Sequence, residues 1–106
     1  MGEAWTIALE ALSWSELHGM NEDAALRKTL KQLGVRDMGA AREAGDLLYA
    51  VSTRRNALDY LINRALEPGD VEALDVGLRS FLRLYAYMVH YGGCSGAEAH
   101  GFAEHV

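Results

Sequence analysis

The stretch Val76-Gly-Leu-Arg-Ser-Phe-Leu-Arg-Leu-Tyr-Ala-Tyr-Met-Val-His-Tyr91 is the most apolar part of this 106-residue chain. Its apolar residues recur at intervals of three and four, the spacing that places them on one face of an α-helix. Asp75 precedes the stretch and predicts an N-cap. We therefore expect the longest and central apolar helix over residues 76–91, with the apolar residues Leu78, Phe81, Leu82, Leu84, Tyr85, Met88 and Val89.

The rest of the chain shows the same apolar spacing, interrupted at glycines and at the one proline. Alternation of apolar and polar residues, the pattern of a half-buried strand, is nearly absent. The sequence thus predicts an all-α bundle of about six to seven helices. The further helices are expected over residues 3–18, after an Asn21 cap as far as Gly34, from the Asp37 cap to Thr53, from an Asn56 cap to Pro68, and after Ser95.

Two of these helices carry apolar stripes that predict their buried faces. Leu26, Leu30 and Leu33 form the stripe of the second helix. The third helix packs through a stripe of smaller residues, namely Ala41, Ala44, Leu48 and Val51. Glycines inside the helical pattern, such as Gly45, cost about 1 kcal/mol against alanine, and close approach of two helices is the expected compensation.

The composition is that of one globular domain, which we place at residues 1–106. Half of the residues are apolar and 24% are charged. The net charge of −5 argues against a strongly basic nucleic-acid binder but leaves room for a local basic patch. The single cysteine, Cys94, fits a reducing cytoplasm, and the longest apolar run, Leu84–Val89, is far shorter than the ~20 residues that span a membrane.

Two blocks of the sequence resemble the NusB-like domain. The first, DLLYAVSTRRNALDYLI at residues 46–62, has an acid, an aliphatic pair, tyrosine, a small residue and valine, then arginine before Leu-Asp-Tyr-Leu-Ile. The second, VGLRSFLRLYAY at residues 76–87, resembles the central helix of that family, with Leu-Arg-Leu followed by Ala-Tyr. The resemblance covers nearly the whole chain in the right order and implies an all-helical bundle. Glu3 departs from the family, which commonly has a basic residue before the first helix.

NusB-like domains occur as a free transcription antitermination factor and at the N-terminus of RNA (cytosine-5)-methyltransferases. The motif Leu58-Asp59-Tyr60-Leu61-Ile62, which follows an arginine, is similar to the second form. The resemblance implies a non-catalytic domain that positions tRNA or rRNA for a methyltransferase domain outside this chain, which would bind S-adenosylmethionine. Because the helices that usually complete the domain are absent, we expect an N-terminal fragment of a longer methyltransferase. The oligomeric state stays open.

The chain carries no recognisable catalytic constellation and no cofactor motif of its own. A nucleotide-like cofactor would need a glycine-rich turn after a strand, which the sequence lacks. Cys94 has no preceding proline and is not expected to act as a nucleophile. His90, His100, Glu104 and His105 do not form the converging set of three or four ligands that a zinc site needs, so we expect no metal.

Basic residues and a tyrosine are the candidates for RNA contact, because guanidinium groups bind phosphates and tyrosine stacks on bases. For some of them we keep an alternative: the arginines of the 76–91 helix could pair internally with acids, and the basic residues of the second helix could form a plain solvated face. A rival function is a protein-interaction bundle that docks on its own catalytic domain or on a transcription antitermination partner. The candidates are Arg27, Lys28, Lys31, Arg54, Arg55, Arg79, Arg83 and Tyr87.

Overall fold

The computed structural model describes residues 2–91 as an all-α bundle, which confirms the predicted fold class. Residues 2–91 form five α-helices and one 3₁₀ turn, fewer helices than the six to seven expected. The helix predicted after Ser95 lies outside the described residues. The elements are α1 (Gly2–His18), α2 (Glu22–Leu33), α3 (Met38–Thr53), α4 (Arg55–Leu66), the 3₁₀ turn (Val71–Ala73) and α5 (Val76–His90).

The prediction that the helix after Asp75 is the longest one is wrong, because α1 has 17 residues against 15 in α5. The two helices share the centre of the bundle: α1 packs against α2, α3 and α5, and α5 packs against α1, α3 and α4. Three alanines on α1 are almost fully buried, and these small side chains allow three neighbouring helices to approach the same helix. The buried residues of α1 are Ala4, Trp5, Ile7, Ala8 and Ala11.

The predicted apolar stripe is fully buried on α3 but not on α2. All four stripe residues of α3, from Ala41 to Val51, are buried as predicted. On α2 the buried residues are Ala25 and Thr29, whereas Leu33 is 47% exposed. The buried face of α2 is therefore centred on the small side chains of Ala25 and Thr29, and Leu26 and Leu30 of the predicted stripe are partly buried against the core beside it. Leu78 in the first turn of α5, one of the apolar residues named for that helix, is 46% exposed.

Gly45 explains how α2 and α3 come close together. A Cβ atom at this position would lie 3.2 Å from the Leu26 Cδ2 atom, tighter than ordinary van der Waals contact. The expected compensation for a glycine inside a helix is therefore present here. Gly77 in α5 has nothing within 4 Å of such a Cβ atom, so no close approach accounts for it.

Two of the predicted caps form, and the break between α3 and α4 differs from the prediction. The side chains of Asn21 and Asp37 accept backbone N–H bonds at the starts of α2 and α3. Asn56 does not cap α4 but lies inside it, because the chain nearly continues the helix: the Leu58 N–H donates to the Arg54 carbonyl at 2.9 Å. Arg54 sits at the break itself, with no side-chain cap, on an exposed corner of the bundle.

Candidate nucleic-acid interface

Arg83 of α5 lies at the centre of an ion network that joins α1, α4 and the segment before α5. Its Nε and Nη2 atoms donate to the two carboxylate oxygens of Asp59 at 2.7 and 3.0 Å, a bidentate pair. Its Nη1 atom donates to Glu16 at 2.8 Å, and Nη2 also reaches Glu72 at 3.2 Å. The side chain is only 4% exposed. We call the set Arg55, Arg79, Arg83, Glu16, Asp59 and Glu72 the arginine network.

The charge of Arg83 is held by its acidic partners. Burial by itself lowers the pKa of the Arg83 guanidinium, because a low-dielectric environment disfavours the charged form. The hydrogen bonds and charges of Asp59 and Glu16 act in the opposite direction and leave the pKa raised above its ordinary value. A raised pKa means that the stabilisation by Arg83 is lost only at strongly alkaline pH, so the group stays charged under physiological conditions.

The other two arginines of the network are progressively more exposed. Arg79 Nη1 donates to the backbone carbonyls of Glu72 and Leu74 at 3.1 and 2.9 Å, and its Nε lies 3.1 Å from a Glu16 oxygen. Arg55 lies 3.4 Å from Glu16, and its side chain is 48% exposed. Arg79 and Arg83 thus form the internal pairs that were the alternative for them, and we leave both out of the candidate interface.

A second cluster, which we call the Arg54 surface, consists of Arg54, Tyr87 and Tyr91. The Arg54 guanidinium carbon lies 5.8 Å from the ring centre of Tyr87 and 5.3 Å from that of Tyr91. The two rings are stacked with centres 5.8 Å apart and planes inclined by 15°. Tyr91 is 46% exposed, and Arg54 is also exposed. Arg54 is held in place because its Nη1 donates to the Ala50 carbonyl at 3.3 Å. The surface therefore presents a fixed cation beside accessible aromatic rings.

The basic residues of α2 occupy a third position. Arg27, Lys28 and Lys31 are all exposed. The Lys28 ammonium lies 4.8 Å from the ring centre of Trp14, which is itself stacked on His18 at 4.6 Å. Lys28 is therefore engaged with an indole ring, whereas Arg27 and Lys31 match the solvated face that was their alternative.

The structure brings Arg54 and Tyr87 together where the α3–α4 break meets the end of α5, whereas Arg55 lies in the arginine network. Sequence reasoning named Arg54 and Arg55 as neighbours at the break and named Tyr87 apart from them, but it missed Tyr91 and the acids of the network. Tyr91 follows Tyr87 by one helical turn, so helical spacing alone was a usable signal for it. Glu16 contacts Arg83 although the two residues are 67 positions apart, and no local sequence pattern predicts such a pair.

Metal ligation finds no support in the part of the chain that is described. Residues 2–91 contain no group of three or more His, Cys, Asp or Glu side chains placed to hold a metal ion. Cys94, His100, Glu104 and His105 lie outside that range. Nor do residues 2–91 contain a helix long and apolar enough to cross a membrane.

Comparison with known proteins shows a likeness in fold. No model of a known protein family matches the chain, and no curated protein matches it. A chain of a solved structure, described as the crystal structure of a plectonemic RNA supercoil, is similar to this one with a TM-score of 0.87. The match covers 99% of this chain and 78% of that chain, at 18% sequence identity. At this level of identity the two chains share a fold.

Proposed function

We propose that this chain is a non-catalytic, NusB-like RNA-binding domain. In this proposal it positions tRNA or rRNA for a cytosine-5 methyltransferase domain that lies outside the chain and binds S-adenosylmethionine. The observation that carries the proposal is the Arg54 surface, where an exposed guanidinium meets two stacked tyrosine rings.

The chemistry of the Arg54 surface suits single-stranded RNA. A guanidinium group presents a planar fork of N–H donors that matches the oxygens of a phosphate. An exposed aromatic ring offers a stacking platform for an unpaired base, worth about 1–3 kcal/mol per base. Arg54 and Tyr91 place both groups side by side, so one nucleotide can use its phosphate and its base at the same place.

The net charge of −5 does not oppose this proposal at the local level. The arginine network contains three arginines and three acids, which balance one another. Its carboxylates are therefore engaged and do not cancel the charge of Arg54. Interactions between exposed charges fade beyond a Debye length of about 8 Å at physiological salt, so distant acids count for little.

Two further observations support the proposal, the first its methyltransferase context and the second the association with RNA. The blocks at residues 46–62 and 76–87 resemble the NusB-like domain, and their Leu-Asp-Tyr-Leu-Ile motif is similar to the methyltransferase-attached form. The solved structure with the similar fold is described as an RNA supercoil. An all-helical bundle fits a domain that supplies RNA affinity to a neighbouring enzyme.

The direct test is a charge reversal at Arg54 with a matched control on the same helix region. Fluorescence anisotropy with a short single-stranded RNA, at salt between about 50 and 200 mM, should give a salt-dependent affinity for the wild-type chain. Arg54→Glu should weaken binding and lower the slope of log K against log salt by about 0.7 for each phosphate that is no longer neutralised. Arg42→Glu makes the same charge change at an exposed residue of α3.

Equal loss of affinity in Arg54→Glu and Arg42→Glu would contradict the proposal, because only overall charge would then matter. Both variants should keep the melting temperature of the wild type, since surface charges contribute little to stability. That measurement separates an altered binding surface from a damaged fold.

A protein-docking function is the second candidate, and an apolar groove between α4 and α5 favours it. The groove has a volume of about 230 Å³ and is lined by Leu61, Leu66, Leu82 and Val89 among others. The acidic net charge points the same way. If the chain is a docking module only, RNA affinity will be unmeasurable at physiological salt, so the titration above decides between the two functions.

A further inference from the structure

Arg55 lines a groove between the ends of α1 and α3 and the start of α5, which we call the Arg55 groove. Its volume of about 360 Å³ falls in the range of ~300–1,000 Å³ that is typical of small-molecule pockets. Leu12 and Val51 form apolar parts of its wall. The polar part is supplied by Ser80, Glu22 and Arg55, together with the network residues Glu16 and Arg83.

Two polar groups of the Arg55 groove have no partner within residues 2–91. Ser80 is only 1% exposed, and its hydroxyl makes no hydrogen bond there. A buried polar group without a partner is costly, and each instance in a folded protein asks for an explanation. Glu22 in the first turn of α2 lines the same groove, and its carboxylate forms no ion pair within the described range. Glu16 differs, because its oxygens are already bound to arginines.

The charges of the Arg55 groove select against an anion. Its lining holds two acids, Glu16 and Glu22, and two arginines, Arg55 and Arg83, so there is no excess positive charge to hold an anion. Glu16 is bound by arginines of the network, which leaves Glu22 as the open carboxylate of the groove. A matching ligand is uncharged and flat, with N–H donors for a carboxylate and an acceptor for a guanidinium. Its faces must be apolar enough to lie against Leu12 and Val51.

We propose that the Arg55 groove binds one unpaired guanine base of the RNA that the Arg54 surface holds by its backbone. The pairing edge of guanine carries the adjacent donors N1–H and N2–H, which the two oxygens of Glu22 accept together, and the acceptor O6, which faces Arg55. This inference rests on the proposed RNA-binding function and names the base that the domain selects.

The other three bases match the groove less well. Adenine and cytosine each present one amino group and no second donor beside it, so a carboxylate gains a single hydrogen bond. Uracil presents one N–H between two carbonyl oxygens, which a carboxylate repels. Guanine alone offers two neighbouring donors together with an acceptor on the same edge.

The Arg55 groove adjoins the Arg54 surface along the chain, because Arg55 follows Arg54 directly. An RNA strand that binds the Arg54 guanidinium beside Tyr87 and Tyr91 therefore passes close to the groove that Arg55 lines. Arg55 is half exposed, so its guanidinium can turn toward a ligand without breaking the buried pairs of Arg83.

The test compares short oligouridylates that carry one central G, A, C or U, titrated by fluorescence anisotropy against the full chain. The wild-type chain should bind the G-containing oligonucleotide roughly fivefold to a hundredfold more tightly, the discrimination expected of one bidentate base contact. Glu22→Gln should abolish that preference. Asp23→Asn removes the same charge from the neighbouring residue of α2 and should keep the preference.

If RNA binding depended on electrostatics alone, Glu22→Gln would change the RNA affinity in the opposite direction. Removing an acid should strengthen RNA binding for every sequence, whereas the guanine contact predicts that Glu22→Gln weakens binding of the G-containing oligonucleotide. Salt-dependent binding without a preference for G, or with a preference for another base, would overturn the guanine site and leave the RNA-binding function intact. Absence of any RNA binding would overturn both.

Discussion

Arg83 and Arg54 are the same residue type in opposite surroundings. Arg83 is buried and meets three carboxylates, one each from α1, α4 and the 3₁₀ turn. Arg54 is exposed and meets two aromatic rings and a backbone carbonyl. The buried guanidinium has its donors filled by acids and holds helices together. The exposed guanidinium can bind an anion from solution, because aromatic rings, unlike carboxylates, do not occupy its N–H donors.

In this bundle, burial decides the role of an arginine. A buried arginine holds helices together, whereas an exposed arginine is available to bind a ligand. Desolvating an arginine is costly unless acids surround it, so the sequence must supply acids wherever an arginine is buried. Glu16, Asp59 and Glu72 meet that need for Arg83. No carboxylate pairs with Arg54 within residues 2–91, and that surface is therefore the one suited to a ligand.

The largest effect on stability should come from Arg83→Ala. Loss of this guanidinium removes the bidentate partner of Asp59, which keeps only a 3.9 Å contact with Arg55, and it removes one of the three arginines that surround Glu16. Breaking a buried pair in this way costs about 3–5 kcal/mol. The free energy of unfolding, measured by urea denaturation, should fall by that amount or the cooperative transition should disappear. A value close to that of Arg42→Ala would show that the network does not brace the bundle.

Arg79→Ala should have an intermediate effect. Its side chain is 17% exposed and binds two backbone carbonyls as well as Glu16, and hydrogen bonds of charged groups contribute about 1.5–3 kcal/mol. The same urea experiment should place this variant between Arg83→Ala and the wild type. A larger loss of stability in Arg79→Ala than in Arg83→Ala would contradict the idea that the more buried arginine contributes more to holding the helices together.

The smallest effect on stability is expected for Arg54→Ala, which should cost no more than about 1 kcal/mol, the value of an exposed cation–π contact. RNA affinity should fall in this variant although the fold is intact. Wild-type stability together with wild-type RNA affinity would remove Arg54 from the interface. The RNA affinities of the two variants separate the two roles most clearly. Arg83→Ala, if it folds, should keep more RNA affinity than Arg54→Ala.

Much of the fold could be predicted because its signals are local. The caps at Asn21 and Asp37 and the buried stripe of α3 depend only on neighbours within a few residues. The exposure of Leu33 could not be predicted, since it depends on how α2 is rotated against α1 and α3. That rotation is set by small residues on other helices, among them Gly45 of α3.

The candidate site could be predicted only in part. Arg54 and Tyr87 were named from their chemistry, but their meeting depends on where the end of α5 lies relative to the α3–α4 break. The distinction between Arg83 and Arg54 depends on acids that are distant in sequence. Asp59 was visible inside the Leu-Asp-Tyr-Leu-Ile motif, yet nothing nearby identified Arg83, 24 positions away, as its buried partner.

The contact between Arg54 and the Ala50 carbonyl has a consequence for the thermodynamics of binding. A long side chain that is mobile in the free protein loses conformational entropy when a ligand fixes it, at about 0.5–1.5 kcal/mol for each side chain. Arg54 is already confined by that hydrogen bond and by the rings of Tyr87 and Tyr91. Much of this entropy is therefore lost when the chain folds, and a phosphate that arrives meets donors whose direction is already set.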